Sequence, residues 1–181
     1  MKKLTTALLA TAVLSSGVMA TEVGFYAGGG AAFEAVPDNA GNYKRGMAAV
    51  IRGGMTFDAL LENFAAEVEL TKSVIDPEVN QFNGVFTSQQ NFDVTTLATY
   101  AVYRIPVGGK FYVKPRFGII FPNLGGAEYW NGDSIVNSRD VTFSSGIGGG
   151  FSVLESLDIY IDYTVIGENI TNYGAGVEYH F

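Results

Sequence analysis

Most of this chain alternates apolar and polar positions with a period of two. Phe64, Ala66, Val68 and Leu70 fall on one face, and Ala65, Glu67, Glu69 and Thr71 fall on the other. Near the C-terminus Tyr173, Ala175, Val177, Tyr179 and Phe181 alternate with Asn172, Gly174, Gly176, Glu178 and His180. Leu157, Ile159, Ile161, Tyr163 and Val165 alternate with Asp158, Tyr160, Asp162, Thr164 and Ile166. Phe111, Val113, Pro115, Phe117, Ile119 and Phe121 do the same against Tyr112, Lys114, Arg116, Gly118 and Ile120. Weaker versions run through residues 23–33, 44–57, 92–103 and 141–153, which makes eight predicted strands. Each is close to the roughly 9–11 residues that a tilted strand needs to cross hydrocarbon. No run of about 18 apolar residues exists that would cross as a helix.

The connections carry a second pattern. Those at residues 58–62, 104–110 and 154–156 are short, whereas those at 34–43, 73–91 and 122–140 are long and polar, and a fourth at about 167–170 is short. Short turns at one end and longer loops at the other, around an even number of strands, predict an antiparallel up-and-down transmembrane β-barrel. An even strand number puts both mature termini on one side, the periplasmic one, with the loops outside.

Charge placement fixes the faces. Arg52, Glu67, Glu69, Lys114, Arg116, Asp158, Asp162 and Glu178 all lie opposite the large apolar residues. Turning an arginine or lysine toward lipid at mid-membrane costs about 2–4 kcal/mol. The charges are therefore expected in the lumen, Lys114 and Arg116 neutralising the carboxylates. An eight-stranded barrel has an interior about filled by side chains, so a polar structural core is expected rather than a wide pore. The glycines Gly28–Gly30, Gly53–Gly54 and Gly148–Gly150 sit inside strands, where they permit curvature and make room for bulky lumen side chains. Pro115 conflicts with a closed ladder, because proline lacks an amide donor, and requires a bulge or a displaced strand boundary.

Composition narrows the picture further. The 181 residues include no cysteine, which excludes disulfides, thiolate zinc sites and cysteine nucleophiles. A formal charge of -7 excludes a basic footprint for nucleic acid. Residues 1–20 read as a secretory signal peptide: Lys2 and Lys3 precede an apolar stretch, and Val18, Met19 and Ala20 form the cleavage box. Residues 21–181 then form the barrel domain. Without the two lysines the basic count falls from 11 to 9 against 18 acidic residues, a balance of -9.

With these features the chain resembles the small OmpA-like or opacity-protein-like outer-membrane β-barrels of Gram-negative bacteria. The resemblance runs over residues 23–181 and rests on the opening Val23-Gly24-Phe25-Tyr26-Ala27-Gly28-Gly29-Gly30, the segment Gly146-Ile147-Gly148-Gly149-Gly150-Phe151 and the close Tyr173 to Phe181. It implies location in the outer membrane, contact with lipid and lipopolysaccharide, and insertion by the barrel-assembly machinery. Tyr179 and Phe181 resemble the C-terminal signal that this machinery reads. The superfamily spans adhesins, surface-protection proteins, anchors and a few enzymes, so the resemblance leaves the role open.

Side chains argue against chemistry. His180 is the only histidine and falls at the end of the lumen, away from Ser144 and Ser145, so no serine–histidine pair forms and a polar cap is expected. Glu67, Glu69, Asp158 and Asp162 have spacings open to paired-acid chemistry, but neutralisation accounts for them more simply. The loop acids Asp76 and Glu78 lack the spacing of a calcium loop. No catalytic residue, cofactor or metal ligand is assigned. Phe82, Tyr129 and Trp130, in the long loops, are candidates for partner contact or for an aromatic girdle, and Trp130 is read as a girdle anchor. The expected function is a structural, adhesive or surface-interaction role through the loops of a monomer, with an extracellular protein receptor as partner. Two other readings stand beside it, a narrow low-conductance channel and a soluble lipocalin-like carrier.

Overall fold

A computed structural model describes residues 23–35, 45–58, 60–76, 78–82, 87–91, 93–125, 141–166 and 170–181. The signal peptide, Tyr129 and Trp130 lie outside these residues. The strands are β1 (Phe25–Ala35), β2 (Arg45–Thr56), β3 (Phe64–Ile75), β4 (Glu78–Phe82), β5 (Thr87–Asn91), β6 (Asp93–Tyr103), β7 (Ile105–Gly108), β8 (Phe111–Gly125), β9 (Thr142–Leu154), β10 (Leu157–Ile166) and β11 (Ile170–His180). β6, β3, β2, β1, β11, β10, β9 and β8 pair in that order and β6 pairs with β8, closing an eight-stranded antiparallel barrel. β1 meets β11 from Tyr26 opposite His180 to Ala35 opposite Thr171, so first and last strands seal without a free edge.

Local chemistry sets the turns at the end where β1 starts and β11 stops. Asn63 takes a left-handed conformation (φ 65°) and its amide donates to Asp58 Oδ1 at 2.9 Å, a backbone state that asparagine tolerates. Gly108 and Gly109 supply positive φ between β7 and β8. Glu155 and Ser156 suffice between β9 and β10.

Four expectations about the connections are corrected, and the first is that β1 runs past Phe33 to Ala35, taking Glu34 and Ala35 out of the connection expected at 34–43. The segment 73–91 is not simply loop: β3 runs on to Ile75, and β4 and β5 form a separate two-stranded hairpin that includes the backbone of Phe82. Residues 104–110 contain β7, which continues the line of β6 and pairs with β8. β8 extends to Gly125 rather than ending near Phe121, because Asp93–Leu97 of β6 give it partners out to that point. Pro115 is accommodated without disrupting β9, where it pairs with Ile147. On its other side the β6 ladder ends at Arg116 and the β7 ladder starts at Val113, so the missing amide falls at a break between two ladders.

The wall faces two ways. Ile51, Val68, Leu70, Phe117, Phe143, Ile147, Ile161 and Val177 are exposed on the outside, an apolar surface suited to lipid. Aromatic side chains gather toward both rims of that face. Phe33, Tyr173 and Tyr163 share one register row, and Tyr163 and Tyr173 rings are 5.0 Å apart. Toward the other rim lie Phe111 with Phe151 at 4.8 Å and Tyr179 with Phe181 at 5.1 Å. Eight residues separate Phe25 from Phe33 on β1, roughly 26 Å along the strand, which is the height of an apolar band before tilt.

Candidate functional site: the charged lumen

The alternation that sends aliphatic side chains outward sends every second residue into a narrow interior. Arg52 (β2), Glu67 and Glu69 (β3), Lys114 and Arg116 (β8), Asp158 and Asp162 (β10) and Glu178 (β11) all meet there, each buried. Arg52 reaches Glu69 at 2.9 Å, its direct cross-strand partner, and Asp162 at 2.7 Å. Lys114 bridges Glu67 at 2.8 Å and Glu178 at 2.5 Å. Arg116 contacts Glu69 at 2.6 Å and Glu67 at 3.3 Å, and also donates to the Thr164 hydroxyl.

Sequence reasoning left out a ninth charge. Asp158 and Glu178 stand directly opposite one another on β10 and β11, a like-charge pair that would repel. Arg104 resolves the conflict, donating to Asp158 at 3.2 Å and Glu178 at 2.6 Å. Asp158 thus pairs with Arg104 and with His180 at 3.0 Å, not with Lys114 or Arg116. The available signal was parity: Arg104 continues the even-numbered inward series Val94, Thr96, Ala98, Tyr100 and Val102 one step past the end of β6.

Tyrosines complete the packing. Arg52 stacks over Tyr160 at 4.0 Å, Arg116 over Tyr100 at 4.6 Å and Arg104 over Tyr26 at 4.8 Å. Tyr26 donates to Glu67 at 2.9 Å. Glycines opposite make the rings possible: a Cβ at Gly54 would overlap Tyr26, one at Gly150 would overlap Tyr112, and one at Gly176 would meet Tyr160. The space among Arg52, Lys114, Arg116, Tyr160 and Asp162 admits no water-sized sphere.

Asp158, Glu178 and His180 bring ligand atoms within 4.8 Å of one another. Arg104 already donates to both carboxylates, and His180 Nε2 faces Asp158 at 3.0 Å, so a cation is present in the form of a guanidinium. Ser144, considered above for hydrolysis, is inward and bonds Tyr100 at 3.0 Å and the Val165 carbonyl at 2.8 Å. Ser145 is exposed on the outer face. Neither lies beside His180. The side chain of Phe82 is outside the described residues.

The sequence matches the outer membrane protein beta-barrel domain family over residues 6–181. No curated protein sequence matches the chain. Among solved structures it is similar to Neisserial surface protein A, with a TM-score of 0.60 and 15% identity over 89% of this chain and 100% of that one. Ail, the attachment invasion locus protein of Yersinia pestis, gives 0.57 and 14% over 89% and 100%, in a complex with the heparin analogue sucrose octasulfate. OprG from Pseudomonas aeruginosa gives 0.54 and 13% over 88% and 95%. At these identities the likeness is one of fold.

Proposed function

The chain belongs to the outer membrane protein beta-barrel domain family, and we propose that it serves the outer membrane as a filled scaffold whose structural, adhesive or surface-interaction role is exercised through its long connections. The observation that carries this reading is the lumen. Among the described residues its charges are paired with one another and stacked on tyrosines, which fills the interior with side chains. An interior spent on holding the wall together is a structural core, so contact with the outside falls to the loops. We read the protein as a non-enzyme without cofactor, since the lumen carboxylates among the described residues are taken up in ion pairs.

The finer assignments follow from that reading. Residues 1–20 are removed on export, and Tyr179 and Phe181 present the assembly signal, with both mature termini in the periplasm and the long connections outside. Phe82, Tyr129 and Trp130 supply receptor contacts or a lipid-interface anchor. A monomer surrounded by lipid and lipopolysaccharide satisfies the apolar outer face. Ail was crystallised with the heparin analogue sucrose octasulfate; without Lys2 and Lys3 this chain carries 18 acidic against 9 basic residues (11 less 2), so a protein receptor suits it better than a sulfated glycan.

Replacing residues 36–44, 77–92 and 126–140 by short Gly-Ser turns tests the proposal. Expressing cells should retain a heat-modifiable barrel in the outer membrane and lose adhesion to protein-coated surfaces. Adhesion equal to that of cells with the intact chain, at equal barrel abundance, would contradict it.

A further inference from the structure

At the end of the lumen away from the chain termini, one carboxylate lies outside the network described above. Glu34, near the end of β1, is fully buried, and its Oε2 accepts from the Ser73 hydroxyl at 2.6 Å. Ser73 in turn accepts the Val94 amide at 3.1 Å, so its proton is committed to Glu34. The second oxygen, Oε1, has no hydrogen-bond partner, and Glu34 takes part in none of the ion pairs among the described residues. Its direct cross-strand neighbour on the inward face is Asn172 of β11, 5% exposed, whose Oδ1 is likewise unpartnered.

The kind of orphan matters. The other buried atoms without partners are arginine Nε groups, which are donors, and the hydroxyls of Tyr112 and Tyr160, which accept or donate. Glu34 Oε1 and Asn172 Oδ1 are acceptors on directly paired residues of adjacent strands, and such a pair is completed by a donor or a cation rather than by another acceptor. Asp76, three residues beyond Ser73, and Asp93, adjacent to Val94, add exposed negative charge at the same end.

We propose that Glu34 and Asn172 form the floor of a binding site for a hard, oxygen-seeking divalent cation of the calcium class at the loop end of the lumen. Carboxylate and amide oxygens are the ligands such ions take, with waters filling the remaining positions. The site is independent of the loop-mediated role above, since it uses the wall of the barrel and not the connections.

Equilibrium dialysis of the folded barrel in detergent against radioactive calcium chloride tests it. Wild type should bind one ion saturably. Glu34→Gln should weaken binding by at least about tenfold, and Asn172→Asp, which adds a second carboxylate, should tighten it by a comparable factor. Glu155→Gln, in the exposed turn between β9 and β10, should leave it unchanged. If Glu34→Gln does not fold, the sign of the Asn172→Asp change decides. Absence of saturable binding, or binding indifferent to these two positions, overturns the site.

Discussion

The two halves of the lumen share one wall and one alternation yet hold their polar groups differently. In the half nearer the termini, Arg52, Arg104, Lys114 and Arg116 face Glu67, Glu69, Asp158, Asp162 and Glu178, four cations among five carboxylates with His180 on Asp158. In the loop-end half, Glu34 bonds Ser73 and lies across from Asn172, and no cation among the described residues pairs with it. A buried ion pair roughly offsets its own desolvation, but a carboxylate whose partner is removed does not. Charge in the first half is therefore part of the core, and charge in the second is held against a cost that the wall alone does not offset.

The largest expected effect is in the paired half. Glu178 touches Arg52, Arg104 and Lys114, so Glu178→Ala takes one carboxylate partner from each of three buried cations and should destabilise the barrel by about 3–5 kcal/mol, read as a lower urea midpoint for loss of the heat-modifiable band. Next come the glycines that admit the tyrosines. Gly54→Ala places a methyl on the Tyr26 ring and should cost about 1–3 kcal/mol by overpacking. Glu34→Gln, in calcium-free buffer, should change stability by less than about 1 kcal/mol, because it keeps an acceptor for Ser73 and removes an uncompensated charge. An effect as large as that of Glu178→Ala would erase the contrast between the halves. Smallest is Lys110→Ala, which loses one exposed contact to the Val153 carbonyl and should stay within about 0.5 kcal/mol of wild type.

The barrel was legible because its rule is local: a period of two, punctuated by turns, needs no knowledge of distant partners. Strand number, closure and face followed from it. Glycine positions were legible as room, but not as room for whom; only the register reveals that Gly54 answers Tyr26. Arg104 is hidden in the short connection expected at residues 104–110, although the chain stays extended there through β7. The hairpin β4–β5 escaped for the opposite reason, since its polar residues carry no alternation. Glu34 lies in the two residues by which β1 outruns its expected end at Phe33, and its partner Ser73 is 39 residues away.

The central claim is that the lumen is a filled core and not a passage. Single-channel recording of the folded wild-type barrel in planar bilayers tests this most directly. The expected result is a silent membrane at all holding potentials. Steady ohmic steps whose size or ion selectivity changes on Glu67→Gln would contradict it, since ions would then be passing the residues that close the space.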